Sequence, residues 1–372
     1  MLENFYSSFK DYWRDIDKTI FFSFLILFVL GVFFSFSSTS TLAGERLNKN
    51  YYFFFSKHLI FATCSIFLMI LISFFQTNFL KNFFLPIFLV ILITLFSVLF
   101  FGIEVKGSKR WLDLFFFRLQ PIEFLKPFFI VTVAQILSKE NLTTSNVSFF
   151  LSFVCLIVPC TILLNQPDVG QTILLVLSWA ALVFVSGIKL IYIFGLFGIA
   201  IFLIVGLLFL FPEKFSYVFR RIEVFFDPSK GERFQSTKAL DAIKEGGLTG
   251  QGVGEGTLKD RVPEAHTDYV ISVIAEEFGS IISIFLICIF LYIAFRVIKF
   301  ALQDDDKFVK IALCGLSSLL IFQTFIHVGV NTSLLPTTGM TLPFLSYGGS
   351  SMFGSAMLAG IIINFTKKKN YR

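Results

Sequence analysis

The chain has 372 residues, of which 56% are hydrophobic and only 15% charged. Soluble domains contain roughly 45–50% apolar and about 25% charged residues, so this composition excludes an ordinary soluble enzyme. The net charge of +6 is scattered over loops, so nucleic acid is not an expected partner. The five cysteines fall inside apolar runs without the paired spacing of a metal site or a disulfide framework.

Apolar runs divide the chain into ten predicted transmembrane helices. The predicted spans are 20–36, 56–75, 83–103, 121–138, 148–164, 169–187, 190–211, 268–295, 308–330 and 344–365. We expect an all-α polytopic membrane protein that forms a single integral domain over residues 1–372. An even number of spans places both termini on the same side of the membrane.

The distribution of basic residues predicts the orientation. Short loops on the side of the termini carry more Lys and Arg than short loops on the other side, so both termini are expected to be cytoplasmic. One large extracytoplasmic loop, residues 212–267, joins the seventh and eighth predicted helices. Its first half is basic and amphipathic and is expected to lie along the membrane interface, before a polar linker rich in glycine.

Charged residues at membrane depth are costly and are often functional. Glu123 and Lys126 are three residues apart on one face of a helix that Pro121 can begin, so they can pair. A structural ion pair and a cavity-lining role are both open. In the short outer turn that follows the fifth span, Pro167 and Asp168 are expected in the first turn of the next helix, and capping is the favoured role of Asp168.

The densest polar cluster leads directly into the eighth predicted helix. Asp268 enters this helix at its outer end and is a candidate general base beside a bound phosphate group. Four ionisable residues close to it in the sequence are candidates for substrate binding: Lys259, Arg261, Glu264 and His266.

Two further segments are expected on the outer side. Lys109, Arg110 and Trp111 are either interface anchors or contacts to phosphate and sugar. Residues 331–351, which include Ser346, contain two prolines and three glycines, and this indicates a re-entrant backbone that helps to wall a site. The glycines of 250–256 follow no strand and precede no Gly-Lys-Ser/Thr, so they predict a flexible loop and not a nucleotide site.

Five stretches, in chain order, resemble those of the SEDS (shape, elongation, division and sporulation) family. They are Gly-Ser-Lys-Arg-Trp-Leu at 107–112, Gln-Pro-Ile-Glu-Phe-Leu-Lys at 120–126, Gln-Pro-Asp-Val-Gly at 166–170, Pro-Glu-Ala-His-Thr-Asp at 263–268 with Glu-Glu-Phe-Gly at 276–279, and Pro-Phe-Leu-Ser-Tyr-Gly-Gly-Ser-Ser at 343–351. The third and fourth stretches are closer to family members of the division septum than to those of the elongation machinery.

The resemblance implies a peptidoglycan glycosyltransferase of the bacterial inner membrane that polymerises lipid II on the periplasmic face at the septum. Asp268 matches the family's essential acidic residue and is implied as the general base for the acceptor 4-hydroxyl, with undecaprenyl diphosphate leaving and inversion at the anomeric carbon. The implied partners are lipid II, the growing glycan strand, membrane lipid, a class B penicillin-binding transpeptidase and other septal division proteins.

The substrate diphosphate needs positive charge, from Lys109, Arg110, Lys259 and Arg261 or from a divalent cation such as Mg²⁺ or Mn²⁺. Asp268 and Glu264 are the candidate ligands of such a cation. Two alternatives to the enzyme remain. A lipid II flippase would use Glu123 and Lys126 in a translocation path, whereas a division scaffold would recruit the transpeptidase and would leave Asp268 without a role.

Overall fold

The computed structural model describes residues 10–38, 53–105, 108–114, 118–139, 144–188, 234–257 and 264–368, together with the single positions 195, 198, 223 and 225. The longer helices within these ranges are α1 Lys18–Ser38, α2 Phe53–Phe74, α3 Thr77–Phe101, α4 Pro121–Leu137, α5 Thr144–Asn165, α6 Val169–Val185, α7 Phe234–Gly246, α8 Val270–Gln303, α9 Lys307–Asn331 and α10 Gly349–Phe365.

The apolar runs form helices, as the sequence predicts. Among the described residues, six helices are long and apolar enough to cross a membrane, namely α1, α2, α3, α5, α8 and α9, while α6 and α10 are apolar but shorter. The chain is therefore a multi-pass membrane protein. The predicted span 190–211 lies outside the described residues apart from positions 195 and 198, and the count of ten spans stays a prediction.

Helix α9 lies at the centre of the helical bundle. It packs against α4, α6 and α8, and 72% of its most apolar window is buried inside the protein. The corresponding share is 22% for α2 and for α3, which expose large apolar side chains such as Phe67 and Ile93. A contiguous exposed apolar surface of this kind is typical of helices that face lipid.

A small antiparallel sheet between α3 and α4 corrects the all-α prediction. It has the order β1 Ile103–Val105, β2 Ser108–Asp113 and β3 Arg118–Leu119. The prediction missed these strands because they are short and polar, so no apolar run marks them. Side chains alternate between the two faces of a strand, and β2 accordingly buries Arg110 while it exposes Lys109.

The segment that precedes α10 is non-helical, and its second half is buried. The predicted last span begins at residue 344, whereas α10 begins at Gly349, and Phe344 has a φ of 66° that no helix accommodates. Met340, Leu342 and Phe344 are almost fully buried. Leu334 is exposed, whereas residues 340–346 are mostly buried. Residues 332–348 are hereafter called the buried loop, and the second half of this loop follows the prediction that irregular backbone is enclosed by protein.

Helix α8 is broken at Gly279, whose φ of 84° and ψ of 169° are not helical. Main-chain hydrogen bonds from residues 247–252 satisfy the groups that this break leaves without helical partners. The pairs are Gln251 N–H to Glu276 O, Gly252 N–H to Glu277 O, Ser280 N–H to Gly247 O and Ile281 N–H to Leu248 O. The expected polar linker and flexible glycine loop are therefore incomplete descriptions, because α7 and this glycine clamp (residues 247–252) pack on α8.

Substitution of Gly279 is expected to unfold the clamp. In Gly279→Ala the new Cβ would collide with the main-chain oxygen of Leu248 in addition to the unfavourable φ, so we expect a loss of about 3 kcal/mol in the free energy of unfolding. Gly187→Ala is the matched control, because Gly187 has a φ of 83° but no atom of the described residues lies within 4 Å of the added Cβ. Thermal unfolding in detergent measures both, and equal shifts in Tm would contradict the clamp.

Candidate active site around Asp268

Asp268 lies in the turn formed by residues 264–269, immediately before α8. The main-chain N–H groups of Thr267, Asp268 and Tyr269 all approach the carbonyl of Glu264, which closes the turn. The side chain of Asp268 is half-buried, so it is accessible at the N-terminal end of the helix.

The buried loop holds this turn in place. The Ser346 hydroxyl donates to the carbonyl of Thr267 at 2.6 Å and accepts the N–H of Leu342 at 2.8 Å. The N–H of Tyr347 donates to the carbonyl of His266 at 2.8 Å. Ser346 therefore joins two non-helical segments by their main chains, and these bonds use its donor hydrogen and one of its two acceptor lone pairs.

Arg110 connects the sheet to the turn between α5 and α6. Its guanidinium donates to the carbonyls of Gln166 and Pro167, and its Nε lies 3.6 Å from Oδ2 of Asp168. Both side chains are buried. Asp168 also caps α6 by accepting the N–H of Gln171, which confirms the capping role, although α6 begins at Val169 and not at Pro167.

Burial raises the pKa of the Asp168 carboxyl above its ordinary value, and the positive charge of Arg110 opposes this shift. A buried carboxylate is stable only with such compensation. Arg110 is thus a fixed positive charge whose orientation is determined by Asp168 and two main-chain carbonyls.

Gly339 of the buried loop lies close to both Asp268 and Arg110. A Cβ built on Gly339 would lie 3.3 Å from Oδ2 of Asp268 and 3.9 Å from Nη1 of Arg110. A carboxylate and a guanidinium therefore border the same small space, and the third side of this space is main chain. Gly339 has a φ of 67°, which also favours glycine.

Glu123 and Lys126 form a second polar network, centred on α4. Their side chains pair at 2.8 Å, as predicted, and both are buried. Gln171 donates to Glu123 and Lys126 donates to Gln323, whose amide in turn donates to the carbonyl of Thr341 in the buried loop. The pair also lines a small cavity with Pro343 and Phe344, so the ion pair and the cavity-lining role coexist.

The other predicted site residues differ in their exposure and contacts. Lys109 is exposed on the outer face of β2, and Trp111 is half-buried and pairs with Ile103 across the sheet. The ring of His266 stacks on Phe54 of α2 with centroids 5.8 Å apart. Glu264 is exposed, and its carboxylate accepts the hydroxyl of Thr267. Lys259 and Arg261 lie outside the described residues.

Sequence reasoning missed the contact of Arg110 with Asp168 and the position of Gly339. The two charged residues are far apart in sequence, and only their opposite charges in two outer segments hinted at a pair. Within the described ranges, no three His, Cys, Asp or Glu side chains converge as metal ligands would. A divalent cation therefore has no assigned ligands among these residues. Its requirement stays a prediction.

Comparison with known proteins identifies the family. The chain matches the model of the FtsW, RodA and SpoVE family, described as "Cell cycle protein", over residues 17–371, and it belongs to this family. A Caulobacter vibrioides protein named "Probable peptidoglycan glycosyltransferase FtsW" is 35% identical over 363 residues, which cover 96% of this chain and 91% of that protein. A Haemophilus influenzae protein of the same name is 31% identical over 362 residues, which cover 93% and 89%.

Solved structures share the fold. One, described as "Structural coordination of polymerization and crosslinking by a peptidoglycan synthase complex", has a TM-score of 0.77 at 23% identity and covers 94% of this chain and 97% of its own. The rod shape determining protein RodA of Thermus thermophilus has a TM-score of 0.69 at 22% identity, with coverages of 95% and 97%. The SEDS resemblance and its closer likeness to FtsW are thereby confirmed.

Removal of Arg110 should destabilise the protein through Asp168. Arg110→Leu leaves the Asp168 carboxylate buried without its counter-charge, and we expect a loss of about 3–5 kcal/mol. Arg14→Ala breaks an exposed ion pair with Asp11 and should cost less than about 1 kcal/mol. Thermal unfolding in detergent measures both. Adding Asp168→Asn to Arg110→Leu should restore part of the stability, and no restoration would contradict the buried pair as the cause.

Proposed function

We propose that this protein is a peptidoglycan glycosyltransferase that polymerises lipid II into glycan strands at the division septum. The observation that carries the proposal is the half-buried carboxylate of Asp268, which borders the same space as the fixed cation Arg110. Membership of a family whose curated members are named peptidoglycan glycosyltransferase FtsW supports the reaction class.

In the proposed mechanism, the Asp268 carboxylate takes the proton of the acceptor sugar's 4-hydroxyl. The acceptor oxygen forms a bond to the anomeric carbon of the donor chain while the bond from this carbon to the phosphate oxygen breaks. Undecaprenyl diphosphate leaves with the bonding electron pair, and the configuration inverts. Fixed positive charge beside the leaving diphosphate stabilises the transition state, and Arg110 is suited to this role because it is oriented before substrate binds.

The remaining predicted residues take supporting roles in this proposal. Lys109, Lys259 and Arg261 contact the phosphates, and Trp111 contacts a sugar. Glu264 and His266 border the acceptor. Ser346 helps to wall the substrate site and also holds the turn that carries Asp268. Glu123 and Lys126 line the cavity next to the buried loop and connect to that loop through Gln323. A divalent cation, if one is required, supplies further positive charge, and the steps above do not depend on it.

The proposal includes the full topology of the chain. Ten spans place both termini in the cytoplasm, and the loop of residues 212–267 and the Asp268 site face the periplasm. The whole chain is one integral domain of the bacterial inner membrane. A class B penicillin-binding transpeptidase is the proposed partner, together with other septal division proteins. The structural likeness to a peptidoglycan synthase complex supports a partner of this kind.

The enzyme is preferred to a flippase because of the state of Glu123 and Lys126. A translocation path needs polar groups that are available to the substrate, whereas these two side chains are buried and paired with each other, with Gln171 and with Gln323. A scaffold alone would give no reason for a carboxylate beside a fixed cation.

Asp268→Asn should abolish polymerisation. Loss of the general base is expected to slow the reaction at least about 10²-fold, measured as glycan strands formed from lipid II by the purified protein with its cognate transpeptidase. Asp241→Asn, in a partly exposed carboxylate of α7, is the control and should retain activity. Equal product from Asp268→Asn and wild type would remove Asp268 from the mechanism. No product from either, with lipid II translocation intact, would favour the flippase.

Gly339→Ala should impair activity more than stability. The added methyl group would lie 3.3 Å from the Asp268 carboxylate and would occupy space that the acceptor needs, so we expect the rate per folded molecule to fall about 10-fold or more. Gly187→Ala, with a similar positive φ and open surroundings, should lower stability only. Parallel polymerisation and thermal unfolding assays separate the two effects. A Gly339→Ala protein with the wild-type rate would show that substrate does not enter this space.

A further inference from the structure

We propose that Asn331 is a positioning residue that fixes the main chain of Asp268 and thereby sets the reactivity of its carboxylate. The inference rests on the proposed glycosyltransferase function. Asn331 is the last residue of α9 and is fully buried.

The carboxamide of Asn331 uses all of its hydrogen-bonding groups. Its Nδ2 donates to the carbonyl of Asp268 at 3.0 Å and to the carbonyl of His327 at 2.8 Å. Its Oδ1 accepts the hydroxyl of Ser272 at 2.7 Å. One side chain thus joins the end of α9 to the start of α8 at two points, Asp268 and Ser272, and binds its own helix at His327.

The hydrogen bond from Asn331 to the Asp268 carbonyl takes the place of a helical hydrogen bond that is not formed at the start of α8. In a regular helix the carbonyl of Asp268 would accept the N–H of Ser272, four residues later. That N–H instead approaches the carbonyl of Tyr269 at 3.1 Å, because α8 begins only at Val270. Asn331 therefore supplies a donor where the helix start provides none, and it constrains the peptide unit that follows the Asp268 side chain.

The same amide also controls the opposite wall of the site. His327, whose carbonyl Asn331 binds, contacts the carbonyl of Met340 through Nδ1 at 2.7 Å. Met340 follows Gly339, the residue that faces the Asp268 carboxylate. Asn331 thus sets the distance between the carboxylate and the buried loop. A misplacement of about 1 Å in a catalytic group can cost up to roughly 100-fold in rate.

Asn364 near the end of α10 provides a matched control. It is also buried, its Nδ2 donates to the carbonyls of Ser73 and Phe75, and its Oδ1 accepts the hydroxyl of Thr77. The two amides have similar bonds, although Asn364 Nδ2 also reaches the carbonyl of Ile72 at 3.4 Å, and no predicted site residue contacts Asn364 among the described residues.

The test compares Asn331→Leu with Asn364→Leu in lipid II polymerisation, with rates expressed per folded molecule. Both variants should lower Tm. Only Asn331→Leu should lower kcat, by about 10- to 100-fold with KM nearly unchanged. It should also shift the pH at which kcat is half-maximal, because the surroundings of the Asp268 carboxylate change.

Equal kcat values for the two variants, with the same pH profile as wild type, would overturn the inference even if both proteins are less stable. If Asn331→Leu does not fold, Asn331→Asp carries the same readouts, since it removes the two donors and keeps an acceptor for Ser272. If polymerisation is lost in Asp268→Asn but kcat is unchanged in the Asn331 variants, this inference alone is overturned. A wild-type protein that does not polymerise lipid II overturns the proposed function and the inference together.

Discussion

Main-chain polar groups that leave the helical pattern in an apolar protein must find partners within the protein, and this constraint shapes the described segments around Asp268 and Gly279. Two pairs of irregular segments illustrate this among the described residues. The break at Gly279 is satisfied by the glycine clamp, and the turn of residues 264–269 is satisfied by the buried loop. The candidate active site lies where the turn of residues 264–269 meets the buried loop, so its geometry follows from the rule that governs the fold.

Buried charged side chains in this structure also have partners within the protein. Arg110 with Asp168 and Lys126 with Glu123 are buried as pairs, and each pair gains further hydrogen bonds from carbonyl or amide groups. Such pairs contribute little net stability, but they have few alternative arrangements once they are enclosed. The positive charge next to Asp268 is consequently held in one orientation before any substrate arrives, as electrostatic catalysis requires.

The helices and the local polar contacts could be predicted from the sequence, because their signals lie within one or two helical turns. Apolar runs marked the helices, the spacing of Glu123 and Lys126 predicted their pair, and Asp168 was recognised as a cap. The small sheet and α7 are short or polar, so no apolar run identified them. The contacts of Arg110 and Gly339 join segments that are distant in the chain, and a single sequence carries no pattern for such contacts.

The buried loop has a consequence for biosynthesis. The turn that holds Asp268 obtains one of its hydrogen bonds from Ser346, whose hydroxyl binds a carbonyl 79 residues earlier in the chain. A nascent chain therefore cannot complete the site when α8 enters the membrane, and it must wait until the last described helix follows. If translation stops anywhere before the buried loop, the inserted chain lacks Ser346, and the turn that carries Asp268 then lacks the hydrogen bond from its hydroxyl.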